Sequence, residues 1–203
     1  YYHQDLPIHI SGPQSGTLGP GEYLVTGDLS IVDGASLTIE PGTTFLFDGA
    51  YDFIVSSNRT LIAQGTETDS IKFMPNAANG VTMRGNLMFD NSSDDDILEH
   101  CLITGGNAGN GGGIHCLFSS PTISHCTFEG NTSWYGGAIC CTNNSNPSIT
   151  SCTISGNYSE DDGGGICCFN DSNPSISDCT INDNFAQDSG GGVFCQDNCN
   201  VLI

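Results

Sequence analysis

Four stretches of this chain can be laid over one another. From residue 111 it reads GGGIHC-LFSSPTISHCTFEGNTSWY, then GGAICC-TNNSNPSITSCTISGNYSEDD, then GGGICC-FNDSNPSISDCTINDNFAQDS, and then GGGVFC. The aliphatic residue after the glycines is Ile114, Ile139, Ile166 and Val193, at spacings of 25, 27 and 27 residues. Cys116, Cys141, Cys168 and Cys195 follow two residues later at the same spacings. A second series, Cys126, Cys152 and Cys179, is spaced by 26 and 27 and extends back 25 residues to Cys101 in the degenerate copy ILEHCLITGGN. A fixed period of this length makes each copy a unit that buries its apolar face only against its neighbours.

Within a copy the apolar residues alternate with period 2, as at Ile139 and Cys141 and again at Cys152 and Ile154, which is the pattern of a half-buried strand. A third short β-prone piece, 147–149, lies between them. Gly-Gly, Ser-Asn-Pro and Gly-Asn separate the pieces and mark tight turns. No piece is long enough for a helix. One coil of a three-sided parallel β-structure needs about this many residues, so the chain is expected to be all-β, a single right-handed parallel β-helix with 25–27 residues per rung in its C-terminal half. The leucine spacing of a leucine-rich repeat is absent. A hairpin meander would not make matching residues recur only at this long interval. The copies differ in length after Gly-Asn (TSWY, YSEDD, FAQDS), so a loop on one edge is expected there.

Residues 22–96 alternate in the same way, at Leu29 and Ile31, Leu37 and Ile39, Phe45 and Phe47, Phe53 and Val55, and read as wider, less regular rungs. Residues 97–203 hold the regular repeats, with no linker between the two parts. Residues 1–21 read as an N-terminal arm and cap, with strand-like alternation at Leu6, Ile8 and Ile10. At the other end Val201, Leu202 and Ile203 read as an open final rung. The arm is expected to add as a strand to the open rung of another copy. Such a head-to-tail contact does not close and would make a filament.

Charge narrows the partners. With 3 Lys plus Arg against 23 Asp plus Glu the net charge is −20, so nucleic acid is excluded as a partner and anionic membrane surfaces are disfavoured. No run of apolar residues is long enough to span a bilayer, so no membrane insertion is expected. The 11 cysteines and the start at Tyr1 point to an exported chain whose signal peptide has been removed, extracellular or on a cell surface. Six Asn-x-Ser/Thr sequons, at Asn58, Asn91, Asn131, Asn143, Asn157 and Asn170, would be acceptors in a glycosylating host.

GGAI at 136–139 and FEGN at 128–131 resemble the GGA[ILV] and FxxN repeats of chlamydial polymorphic outer-membrane proteins. The wider pattern SNPSITSCTISGN…GGGICC is similar to secreted right-handed parallel β-helix repeat proteins of bacterial surfaces. The resemblance covers roughly residues 22–200. It implies the β-helix fold, and a function among adhesins, surface-layer components and carbohydrate-active enzymes.

The cysteine columns are the first candidate feature. Stacked rungs lie about 4.8 Å apart, so Cys116, Cys141, Cys168 and Cys195 should form one inward column and Cys101, Cys126, Cys152 and Cys179 another, as small apolar core residues. Cys140 and Cys167 are one residue out of phase, should point outward on adjacent rungs, and are the best candidate disulfide. Eleven is odd, and Cys199 is the candidate free thiol. Zinc is disfavoured, because no CxxC occurs. No cofactor is expected, with calcium the exception: Asp94, Asp95 and Asp96, and Glu160, Asp161 and Asp162, lie in acidic turns in a stretch with no Lys or Arg after Arg84. No calcium-loop motif such as DxDxDG is present, and a solvated acidic face is the leading reading of these turns.

No catalytic constellation is visible. A polygalacturonase-like hydrolase needs Gly-His-Gly and a basic residue near its acids, and neither occurs near the repeats. A pectate-lyase-like elimination needs an Arg or Lys base, and only Arg59, Lys72 and Arg84 exist. His100 and His125 occupy equivalent places before a cysteine and read as surface turns. Thr127, Thr153 and Thr180 form one outward column, without the flat double array of an ice-binding face. The expectation is therefore a structural or adhesive surface protein whose partner is another copy of itself or host cell-surface glycans. A carbohydrate-active enzyme, lyase or hydrolase, is the alternative.

Overall fold

The computed structural model describes residues 7–202. It is a right-handed parallel β-solenoid of about seven turns, and its one helical element among the described residues is the single 3-10 turn Ala77–Asn79. Every strand pairing described is parallel, in sheets of 14, 7 and 4 strands. A regular rung runs from Ile114–Leu117 on one face of the largest sheet, through Thr122–Ser124 in the seven-stranded sheet, to Thr127–Glu129 on the other face. It returns through Thr132–Tyr135 and starts again at Ile139–Thr142. The two faces of the largest sheet meet at the long strand Gly21–Ile31, whose first half pairs with Thr43–Phe47 and whose second half pairs with Phe53–Ser56.

The expected register is the observed one. Ile114, Ile139, Ile166 and Val193 are Cα partners down one column, and Cys116, Cys141, Cys168 and Cys195 down the next but one. The first three members of each column are completely buried. Val193 is half-buried and Cys195 exposed, because they lie in the last described rung, which is covered on one side only. Full burial of one such aliphatic side chain is worth about 1.5–3 kcal/mol. The earlier rungs fill a wider section with aromatics instead: Phe45 stacks on Phe73 at a centroid distance of 5.2 Å and on Tyr23 at 5.6 Å.

The structure corrects the sequence reading in two places. The variable stretch after Gly-Asn is not a loop. Thr132–Tyr135, Tyr158–Ser159 and Phe185–Ala186 stack with Asn107–Asn110 as the four-stranded sheet. A chain crossing between two stacked faces can satisfy its backbone groups only by pairing with the crossing above and below. The extra residues collect in the bend before the glycines. This sheet begins at Asn107, which is why the repeat sharpens in the second half. The N-terminal arm is the second correction. Ile8–Gln14 is a strand of the molecule's own first rung, with Ile8 opposite Tyr23 and Ile10 opposite Val25. Ile8 and Ile10 are therefore paired along one edge within the chain rather than standing as a detached arm. Leu6 and Ile203 lie outside the described residues.

Polar ladders reinforce the rungs from inside. Asn157 Nδ2 donates to the Phe128 carbonyl at 3.0 Å and to Asn184 Oδ1 at 2.9 Å, while its own Oδ1 accepts from the Asn131 amide at 3.0 Å and from Asn131 Nδ2 at 2.9 Å. Ser119, Ser145 and Ser172, all buried, repeat the device at another corner, where the Ser119 and Ser145 amides each donate to the next Ser Oγ at 3.1 Å. At the Gly-Gly bend backbone stacks directly on backbone. A Cβ on Gly137 would stand 2.2 Å from the Gly164 carbonyl, and Gly136, Gly163 and Gly190 have φ of 67°, 68° and 66°. Only glycine fits both demands.

Candidate functional site

Three features of the rungs carry chemistry. The first is a corner groove of about 310 Å³ lined by Thr66, Glu67, Ser70, His100, His125 and Thr127, among others. His100 and His125 have φ of 48° and 53°, and Ser151 and Asp178, at 54°, continue the column through the later rungs. This left-handed conformation turns the chain between the sheets and throws the side chain outward. The two imidazoles stack at a centroid distance of 4.8 Å and 12° between planes. Lys72 is register partner to Leu102, which in turn faces Thr127, so Lys72 stands on the strand next to the groove. The sequence reading of His100 and His125 as turn residues matches their backbone, but their pairing across rungs follows only from the 25-residue register.

The thiol columns are the second feature. Cys101, Cys126, Cys152 and Cys179 line a core corner, where Cys126 Sγ donates to the Ser124 carbonyl at 3.2 Å and Cys152 Sγ to the Thr150 carbonyl at 3.3 Å. Burial pushes the Cys126 thiol well up, so it stays protonated and inert. Cys140 and Cys167 are register partners on adjacent rungs, as expected, but both are completely buried and all eleven cysteines are free thiols. Their side chains point away from the core, yet the Gly-Gly bend folds over them. A Cβ on Gly136 or Gly163 would lie 3.0 Å or 2.8 Å from the Cβ of Cys140 or Cys167. The two positions are thus covered rather than open to solvent, next to a buried His115 whose Nε2 is 3.0 Å from Thr142 Oγ1. Cys199 is half-buried.

The acidic turns are the third feature, and the structure treats the two differently. Asp94 and Asp95 are exposed, but Asp96 is completely buried, with Oδ1 accepting from the Leu61 amide at 2.7 Å and Oδ2 unpartnered. The three do not converge on one point. In the second turn Glu160 is exposed and Asp188, from the following rung, joins Asp161 and Asp162 in its place. The signal that finds Asp188 was in the sequence: it lies 27 residues after Asp161, the same interval that aligns the cysteines.

Burial pushes the Asp96 carboxyl up to about 6. Above the unfolded value of 3.8 the unfolded chain releases a proton that the folded state still holds. The Asp96 contribution is therefore fully present below about pH 4 and is lost as pH rises through about 6, a change of about 3 kcal/mol. Asp96→Asn keeps the acceptor for Leu61 and removes the titration. Urea unfolding should show the advantage of Asp96→Asn over the parent growing by about 3 kcal/mol between about pH 4 and about pH 7.5. A difference independent of pH would mean that Asp96 does not titrate in this range.

At the last described rung an apolar hollow of about 650 Å³ is lined by Ile176, Cys179, Ile181 and Val193. Val201 packs on the core, and Leu202 already extends the seven-stranded sheet through a bridge to Ser175. This rung is less open than its sequence suggests.

Of the three basic residues, Arg84 is completely buried, donating from Nε to the Thr104 carbonyl at 3.1 Å and from Nη1 to the Gly85 carbonyl at 2.6 Å. Arg59 stands 3.9 Å from Asp33. Neither lies in the groove. No helix among the described residues is long and apolar enough to cross a membrane.

A family model described as a right handed beta helix region matches residues 66–203. No curated protein and no solved structure matches the chain. The matched segment is more than half of the 203 residues and contains every regular rung described above, and the chain belongs to the right-handed β-helix family.

Proposed function

We propose that this β-helix is a structural or adhesive protein of a cell surface, with glycans as its partners. The observation that carries the reading is the fate of the repeated residues. The Ile and Cys columns and the Asn and Ser ladders all hold one rung to the next, so the repeat builds a rod rather than a pocket. The similarity of GGAI and FEGN to repeats of chlamydial outer-membrane proteins supports the surface location. The corner groove is the place for a neutral glycan: the stacked imidazoles offer a flat face, and Thr66, Ser70, Thr127 and Glu67 offer hydroxyl and carboxylate partners. Polyuronates would be repelled by a net charge of −20.

The same groove favours one second reading, a carbohydrate-active enzyme, because the titratable Glu67, His100 and His125 line it together. One experiment separates the two. The protein is incubated with neutral glycans and polyuronates, with and without calcium, and assayed for binding, new reducing ends and unsaturated product. Binding of a neutral glycan that weakens at least tenfold in His125→Ala, with no product, is the expected result. Product formation that disappears in His125→Ala would overturn the structural reading.

A further inference from the structure

The edge formed by the bends at 160–162 and 187–189 brings three carboxylates together from two successive rungs. One oxygen each of Asp161, Asp162 and Asp188 lies within 4.8 Å of the others. Asp161 and Asp188 are stacked by a rung-to-rung hydrogen bond of 3.0 Å from the Asp188 amide to the Asp161 carbonyl, which sets like charges directly over one another, where they repel. No Lys or Arg follows Arg84, so these rungs have no fixed cation of their own to oppose them. A second observation is independent of the clustering. Asp162 is only 8% exposed, and its Oδ1 is buried without a hydrogen-bond partner. An acceptor withdrawn from water in this way is costly unless something pairs with it. The backbone around it fixes it there: the Asp162 carbonyl accepts from Ser159 Oγ at 2.8 Å and from the Gly136 amide at 3.0 Å. One of its carboxylate oxygens lies within 4.8 Å of an oxygen of each of its two neighbours.

From this geometry we infer that the edge binds a calcium ion, bridging two rungs through Asp161, Asp162 and Asp188. The cluster contains no imidazole or thiol, and an all-oxygen donor set selects a hard cation. The donors stand on bends of variable length rather than in a tight octahedral cage, which suits calcium better than magnesium. Three carboxylates leave part of the coordination shell to water, so the affinity belongs to the weak class, about 10⁻⁴–10⁻³ M. The bound ion replaces repulsion between the rungs by a shared bond. It stiffens the edge at the point where the copies differ in length.

Terbium, which takes calcium's place on oxygen ligands and emits when a neighbouring indole is excited, is the probe. The chain has one tryptophan, Trp134, and its carbonyl accepts the Asp161 amide at 3.0 Å. Excitation of Trp134 should give terbium emission that saturates and is displaced by calcium. Half-saturation should rise at least tenfold in Asp162→Asn and in Asp188→Asn and stay unchanged in Asp95→Asn. Asp188 is exposed, so its variant keeps the fold, and a thermal melt of each protein in chelator verifies this. Calcium should raise the melting temperature of the parent by several degrees and leave that of Asp188→Asn where it was. Emission that grows without saturating, or that is the same in Asp188→Asn as in the parent, would overturn the site. So would a parent stabilised by acid but indifferent to calcium, which would show a shared proton in the ion's place.

Discussion

Ile166→Asp should abolish cooperative folding at neutral pH. Ile166 is completely buried, with Ile139 and Val193 as its Cα partners on the rungs to either side. A carboxylate there would have neither water nor a cation within reach, since the nearest arginine in sequence, Arg84, is itself buried several rungs away. An unpaired charge in such a place costs more than about 4–5 kcal/mol, a large part of the roughly 5–15 kcal/mol that typically holds a domain together. Ile166→Val, which removes one methylene, should cost only about 1 kcal/mol. Val193→Asp should be much milder than Ile166→Asp, because Val193 is half-buried. Circular dichroism during thermal and urea unfolding reads all three. An Ile166→Asp protein that melts with the parent would mean that the register is wrong.

Asn157→Ala should cost about 3–5 kcal/mol, more than most polar substitutions, because one side chain closes bonds on both sides of its rung. Its removal strands the Phe128 carbonyl and the Asn131 amide, both of which it satisfies at 3.0 Å, and leaves Asn131 Nδ2 and Asn184 Oδ1 each short of a partner at 2.9 Å. Each buried group left unpaired costs about 1–3 kcal/mol, and the neighbours relax to recover part of it. Asn184→Ala, at the partly exposed end of the ladder, should cost less than half as much. If the two variants lose equal stability in urea, the ladder is not cooperative and each asparagine acts alone.

The rod's axis was legible in the sequence because identity repeats along it. Ile114, Ile139 and Ile166 cannot recur with Cys116, Cys141 and Cys168 at one interval unless successive rungs stack in register. What surrounds the rod was less legible. TSWY has the composition of a loop, and nothing local shows that Thr132–Tyr135 pairs with the crossings one rung before and one rung after it. The bend that follows each crossing, at Gly136 and Gly163, folds over Cys140 and Cys167. With it they are buried, and the surface position goes to the groups over them. Asp188 was missed for a different reason: a contiguous acidic run catches the eye, whereas a solenoid's sites are assembled across rungs. Arg84 gave no signal at all, since it lies in the stretch where the repeat is too weak to assign an inward or outward phase.

The asparagine ladder has a consequence for how the protein can be made. Two of the six sequon asparagines, Asn131 and Asn157, are ladder residues, buried with their amide nitrogens committed to the Ile103 and Phe128 carbonyls. The other four, Asn58, Asn91, Asn143 and Asn170, sit at left-handed turns, outside the core. Oligosaccharyl transfer acts on the nascent chain, before any rung has closed. A sugar attached to Asn157 at that stage would have to be forced between two stacked coils, so a eukaryotic secretory pathway would convert a fold-stabilising residue into an irreversible block to folding. Yield from such a host should depend on removing the hydroxyl residue that completes each buried motif, Ser133 for Asn131 and Ser159 for Asn157, the latter at the cost of its Oγ bonds to the Trp134 and Asp162 carbonyls, while a host without N-glycosylation needs no such change.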